Sequence, residues 1–220
     1  FQETDIVTIS KPITKFSYKI KNPNEIKYIL EKSYHIATTG RPGPVLLDIP
    51  LDLQRKKINI NNLKSFKIKK PKIKNIDKKI KYIIRQFKKS KKPVIIIGGG
   101  IKNAKAEKNL NKFLKKFNVP VVSTWSGVDL IDHLEKKYIG NVGVYGSRSA
   151  NFAVQNSDLI LSLGSRLDTR ITGGVPKNFA RKAKKIMVDI DKHELNKKRG
   201  LKIDYKVKED VKYFLSQFTK

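Results

Sequence analysis

The apolar positions of this chain change period along its length, and those changes mark out its elements. Ile26, Ile29, Leu30, Ser33 and Ala37 fall on one face at helical spacing, opened by Pro23-Asn24 and closed by Gly40. Val45-Leu46-Leu47 then runs continuously apolar, which predicts a short strand buried on both faces of a parallel sheet. One helix and one strand cannot close a core, so this opening stretch needs partners that it does not itself contain. With Phe1-Gln2-Glu3 at its start and no initiator Met, the chain reads as a fragment that begins inside a domain.

From Arg55 to Ile73 the pattern dissolves into lysines with Asn59, Asn61-Asn62 and Pro71 as breakers, which reads as a linker. Regularity returns at Asn75, a candidate cap for a helix with apolar positions Ile76, Ile80, Ile83, Ile84 and Phe87. Val94-Ile95-Ile96-Ile97 is a buried strand that stops at Gly98-Gly99-Gly100. A helix with Leu110, Phe113, Leu114 and Phe117 on one face follows, then a strand at Val119-Pro120-Val121-Val122. Further strands are expected at 158–163 and 185–189, with a helix from Arg148 to Asn156 between the second and third strands of the series. Asp191 with Glu194 forms a capping-box pattern for another short helix, and Val211 to Phe218 closes the chain as an amphipathic helix. Strands alternating with helices mean βα units, hence an α/β domain with a doubly wound parallel sheet. The expected organisation is the C-terminal part of one α/β domain over 1–55, a linker over 56–74 and a Rossmann-like domain over 75–220.

In such a sheet, ligands lie beyond the carboxyl ends of the strands, and four of those segments are unusual. Gly98-Gly99-Gly100 either lets backbone approach a phosphate or makes a tight turn, and it lacks the third glycine of G-x-G-x-x-G. Gly140-Asn141-Val142-Gly143-Val144-Tyr145-Gly146-Ser147 is a second glycine-rich loop, with Ser147 placed to cap the next helix. Gly164-Ser165-Arg166-Leu167-Asp168-Thr169-Arg170 puts two arginines after a buried strand, suited to phosphate or to pairing with Asp168. Asp189-Ile190-Asp191 ends a strand in acids, where Asp189 suits ribose hydroxyls and Asp191 suits a helix cap. His35, His133 and His193 have no Ser or carboxylate partner at a recognisable motif spacing and read as structural or surface residues. Metal-ligand spacing is absent from the sequence.

Composition narrows the classes. Zero cysteines exclude disulfides, thiolate metal sites and cysteine nucleophiles. No apolar run approaches the ~20 residues of a membrane span and no signal peptide is visible, so the default is a soluble, cytoplasmic protein. The net charge of +30 invites a nucleic-acid reading, but only eight of the 49 basic residues are arginine, and the lysines are scattered along polar helix faces. That is a composition bias along the whole chain, and no specific nucleic-acid site is expected from it.

Phe1-Gln2-Glu3-Thr4-Asp5, Ile13-Thr14-Lys15, Gly40-Arg41-Pro42-Gly43-Pro44 with Asp48-Ile49-Pro50, Gly98-Gly99-Gly100, Asn156-Ser157-Asp158, Gly164-Ser165-Arg166 and Val188-Asp189-Ile190-Asp191 stand in a characteristic order and spacing. That ordered set resembles the thiamine-diphosphate enzymes of the acetolactate synthase type over essentially the whole chain. The resemblance implies the end of a pyrimidine-binding domain followed by a central Rossmann-like domain, from an enzyme acting on 2-oxo acids as carboligase or decarboxylase. It implies thiamine diphosphate and Mg2+ held mainly by segments other than this one, a homodimer or tetramer in the full-length enzyme, and an inactive fragment; no specific nucleic-acid partner and no membrane are expected. Gln2 and Phe1 match catalytic positions that face the thiazolium across a dimer interface. Gly98, Gly99, Gly100, Tyr145, Gly146, Gly164, Ser165, Arg166, Asp168, Arg170, Asp189 and Ile190 match positions that contact FAD, where related decarboxylases hold ADP or leave the site empty. Three positions depart from the pattern: Leu51 stands for a lysine, Gly143-Val144-Tyr145-Gly146 for Gly-Met-His-Gly, and Thr124-Trp125-Ser126-Gly127 for Thr-Leu-Gln-Gly. A stand-alone FAD-, ADP- or NAD-binding module and, further off, a basic nucleic-acid-binding protein are the alternatives.

Overall fold

The computed structural model describes residues 4–68 and 75–219, and each of these stretches belongs to its own compact unit. The first unit opens with α1 (Ile6–Ser10) and β1 (Phe16–Lys19), followed by α2 (Ile26–Thr38), β2 (Val45–Asp48) and α3 (Leu51–Gln54). β1 and β2 pair in parallel, Phe16 opposite Val45 through Lys19 opposite Asp48. The strand expected to be buried on both faces is only half-buried, because β1 is its single hydrogen-bonded neighbour among the described residues. β1 escaped the sequence reading, since four residues that alternate aromatic with polar carry little hydrophobic signal. A 3-10 turn (Pro23–Glu25) leads into α2 and is capped by Asn22, whose side chain accepts from the Asn24 N–H at 2.9 Å while the Glu25 carboxylate accepts from the Asn22 N–H at 3.2 Å.

Lys15 fastens the other end of α2. Its ammonium donates to the carbonyls of Ile36 in the last turn, Thr39 at the C-cap (2.7 Å) and Arg41 just beyond it (3.0 Å), where a cation meets the carbonyl end of the helix. Gly40 turns the chain there with φ +63, and Gly43 leaves room for the lysine stem. Phe66, from the stretch expected as a linker, packs edge-on against Tyr28 at 5.5 Å, and its N–H donates to Glu31 at 2.6 Å.

The second unit carries α4 (Asp77–Lys89), β3 (Pro93–Ile97), α5 (Gly100–Asn103), α6 (Glu107–Lys116), β4 (Val121–Ser123), β5 (Tyr138–Asn141), α7 (Arg148–Gln155), β6 (Leu159–Leu163), α8 (Thr169–Thr172), β7 (Lys184–Asp189), α9 (Lys192–Asn196), β8 (Tyr205–Lys208) and α10 (Val211–Phe218). Its six strands form one parallel sheet in the order β5-β4-β3-β6-β7-β8. The alternation of strand side chains sorts the core into two layers. Ile95 and Ile97 of β3, Leu161 and Leu163 of β6 and Ile186 and Val188 of β7 face α4, α6 and α10 through Ile80, Ile83, Leu110, Phe113, Phe214 and Leu215. Val94, Ile96, Ile160 and Met187 face the opposite way, toward Ala150 and Val154 of α7 and toward Phe179 and Leu195. A doubly wound sheet covered on both faces is what the sequence predicts, and the central strands are the apolar runs that it names.

Several local expectations shift. The strand expected from Val119 begins at Val121, after Pro120. Asn75 accepts from the Asp77 N–H at 2.8 Å in a turn ahead of α4, and the capping position itself is Ile76. Asp191 caps α9 through the His193 N–H at 2.8 Å, while Glu194 receives the Arg199 guanidinium at 3.1 Å. Asp158 ties the α4–β3 turn to β6, accepting from the amides of Lys91 (2.8 Å) and Lys92 (3.0 Å) and from the Ser90 hydroxyl. Lys185 is buried, and its ammonium donates to the carbonyls of Ala180 (2.8 Å) and Ala183 (3.0 Å), holding a turn in which Ala180 adopts φ +43.

Candidate functional site

The winding direction of the sheet reverses between β3 and β6, which places the loops after these strands at the topological switch point where open α/β sheets receive ligands. Here the two loops meet as bare backbone. A Cβ on Gly98 would lie 2.5 Å from the Gly164 carbonyl oxygen, and one on Gly100 would lie 2.8 Å from the Gly164 Cα. The Gly98 N–H donates to Leu163 O at 3.0 Å, the Gly100 N–H to Gly164 O at 3.0 Å and the Gly99 N–H to Ser126 Oγ at 3.3 Å. The glycine run therefore serves the crossing of two loops, and all three of its amides are engaged within the chain. Gly164 makes its side of that crossing with φ +60.

The loop after β6 continues with buried Ser165, whose hydroxyl accepts from the Leu167 N–H at 3.5 Å, and with Leu167, buried at φ +48. These anchors leave Arg166 and Arg170 at the surface. Asp168 lies 3.5 Å from the Arg166 guanidinium and caps α8 through the Arg170 N–H at 3.1 Å. Both readings of the arginine segment are thus represented: the carboxylate pairs with one guanidinium at long range, and both arginines remain open to water. An exposed pair of this kind is worth little by itself.

The glycine-rich loop after β5 joins the same edge. The Val144 N–H donates to Arg170 O at 2.8 Å, and Asn151 of α7 clasps Gly143 from both sides, donating to its carbonyl at 2.9 Å and accepting its N–H at 3.0 Å. Gly146 closes a turn onto Gly143 O at 2.9 Å, and Ser147 caps α7 through the Ala150 N–H at 3.2 Å. Tyr145, at the tip of this turn, stacks on Trp125, which follows β4. The ring centroids are 5.2 Å apart and the planes are inclined by 15°. Trp125 carried a signal in the sequence, an aromatic directly after a strand, but reading it as a site residue required knowing that β4 and β5 are neighbours.

Asp189 and Ile190 end β7, and the Asp189 carboxylate accepts the Asp191 N–H at 2.8 Å. His35 packs on Phe66 and His133 on Tyr138, both at 5.5 Å, while His193 sits on the exposed α9, as structural or surface histidines do. Phe1 and Gln2 lie outside the described residues. Leu51 is exposed at the start of α3. Among the described residues no cluster of three or more acidic or histidine side chains forms a cation site, and no helix is long and apolar enough to cross a membrane.

A parallel sheet whose arginine loop and glycine crossing occupy its carboxyl edge is shared by many nucleotide-binding folds, so the deciding observation is the family. The model of the thiamine pyrophosphate enzyme central domain matches residues 80–218. This chain belongs to the thiamine pyrophosphate enzymes. It is 37% identical over 209 residues to the acetolactate synthase large subunit of Corynebacterium glutamicum, covering 92% of this chain and 33% of that protein. It is 36% identical over 219 residues to the acetolactate synthase large subunit of Lactococcus lactis, covering 99% and 38%. The chloroplastic acetolactate synthase of Arabidopsis thaliana is 37% identical over 204 residues, covering 90% and 30%. The chain thus spans about a third of the length of these relatives. The alignments extend ahead of the central domain into the first unit, which favours a thiamine pyrophosphate enzyme over a stand-alone nucleotide module.

Proposed function

We propose that this chain is the central domain, with the end of the preceding pyrimidine-binding domain, of an acetolactate synthase-like enzyme that acts on 2-oxo acids as carboligase or decarboxylase. The observation that carries this reading is the identity of 36–37% to acetolactate synthases, sustained over 90% or more of the chain in both units. In the proposed protein 1–55 closes the first domain, 56–74 links and 75–220 forms the second. Thiamine diphosphate, when bound, supplies the carbanion-stabilising chemistry that 2-oxo acids require, and the protein supplies orientation and electrostatics. We assign its binding, with Mg2+, mainly to segments other than these, with Gln2 and Phe1 reaching the substrate across a homodimer or tetramer interface in a cytoplasmic enzyme.

The role of the residues described here is a nucleotide site for FAD at the carboxyl edge of the sheet. The donor chemistry suits one: two water-facing guanidiniums on a loop that turns at Gly164 with φ +60, beside an open aromatic pair. The glycine run acts indirectly, by letting the two loops cross. Residues 1–220 supplied with pyruvate, thiamine diphosphate and Mg2+ are expected to show no turnover, and the same segment within its complete reading frame is expected to form acetolactate. Turnover by residues 1–220, or none by the complete protein, overturns this assignment.

A further inference from the structure

The six strands of the second unit all run the same way, so the segments that enter them lie along one edge of the sheet and the segments that leave them along the other. Charge is divided unequally between the two edges. The five residues ahead of each strand together hold ten lysines and arginines against three acids, whereas the five residues after each strand hold four against five. Lysines scattered along the sequence are thus gathered by the topology. The amino edge presents Lys88-Lys89-Ser90-Lys91-Lys92 before β3 and Arg181-Lys182 before β7, and the row continues with Lys116 before β4, Lys136-Lys137 before β5 and Lys202 before β8. Of these cations all but Lys137 are exposed. Two of the three acids are engaged within the chain: Asp158 turns onto Ser90 and the amides of Lys91 and Lys92, and Asp204 accepts the Lys185 N–H at 2.9 Å with Lys202 at 3.4 Å.

Neighbouring strands lie about 4.8 Å apart, so the row extends about 24 Å, the length of about seven base-pair steps of a duplex. Its chemistry suits phosphate. Nine of the ten cations are lysine, and the one exposed large apolar side chain in these segments is Leu134, so the edge lacks the aromatic and arginine anchors that protein interfaces use. No exposed Phe, Tyr or Trp stands there to stack on unpaired bases, which leaves the backbone of a paired duplex.

We propose that the amino edge of this sheet is a docking surface for the phosphate backbone of a nucleic-acid duplex, held without regard to base sequence and released by salt. The lysines act as point charges on the phosphates, and nothing on the edge reads a base. The surface lies at the edge opposite the glycine crossing and is independent of the reading proposed for that site.

The full chain is titrated with a DNA duplex of about 20 base pairs by fluorescence anisotropy, from about 50 to 200 mM salt. Each phosphate contact contributes about −0.9 to the slope of log K against log salt, so K88Q/K89Q/K91Q/K92Q is expected to flatten that slope by about 3 and to weaken binding about tenfold or more at low salt. The same charge removed from exposed lysines elsewhere, in K78Q/K108Q/K197Q/K198Q, is expected to change the slope by less than about 1. Acetylation of lysines in the wild-type chain, read peptide by peptide, is expected to slow between Lys88 and Lys92 and to continue at Lys197 and Lys198 when the duplex is added, which needs no variant to fold. Equal flattening by the two variants, with protection spread evenly over the lysines, would show that total charge alone acts and would overturn the docking edge. Tighter binding of a polyglutamate peptide or of a single strand than of the duplex, or no duplex binding at low salt, would overturn it as well.

Discussion

Asp158 shows how one carboxylate can organise a junction. Burial raises its pKa, but the Ser90 hydroxyl and the amides of Lys91 and Lys92 outweigh that effect and hold it below the ordinary 3.8. A carboxyl group whose pKa is lowered by folding stabilises the folded state above its unfolded pKa, and loses that contribution as pH falls through its folded value. Asp158→Ala is therefore expected to cost about 1–3 kcal/mol near neutral pH. In urea unfolding, the difference from wild type should shrink once pH drops below 3.8; a difference that persists in acid would mean that the residue acts by packing alone. At the loop crossing, Gly98→Ala forces a methyl to within 2.5 Å of the Gly164 carbonyl. The backbone there has to separate, at a cost of about 1–3 kcal/mol, read as a lowered thermal midpoint. An unchanged midpoint would show that the two loops are looser than their contacts indicate.

At the scale of elements, the strands most legible in the sequence are those in the middle of the sheet. β3, β6 and β7 are covered by helices on both faces and must be apolar at nearly every position, which a sequence displays as an uninterrupted run. β5 and β8 are edges. β5 contains Gly140 at φ +120, where its register with β4 slips, and β8 alternates buried Val207 with exposed Lys206 and Lys208, as an edge that must not pair further does. Neither carries the apolar run of a central strand. The end of α2 was marked by Gly40, but the cation that fastens it comes from Lys15, on the far side of β1 in sequence. Lys15→Gln is expected to speed amide exchange about fivefold in the last turn of α2, equivalent to roughly 1 kcal/mol of lost helix-terminal interaction. Exchange at the wild-type rate would show that the carbonyls are as well served by water.

For the molecule as a whole, a net charge of +30 carried mostly by dispersed lysine predicts nucleic-acid adhesion that is strong at low salt, indifferent to sequence and lost near physiological ionic strength. Fluorescence anisotropy with DNA duplexes of differing sequence across a salt series measures it, and salt-resistant, sequence-selective binding would contradict it. The doubly wound class, the two core layers and the family were set by the sequence alone. Burial on both faces imposes apolar runs, helical faces impose a period near 3.6, and the motifs stand in a fixed order. Strand order and register decided the rest, because they alone determine which loops become neighbours. Through them the glycine run meets Gly164 and Trp125 finds Tyr145, contacts between residues distant in the chain that no local pattern of hydrophobicity encodes.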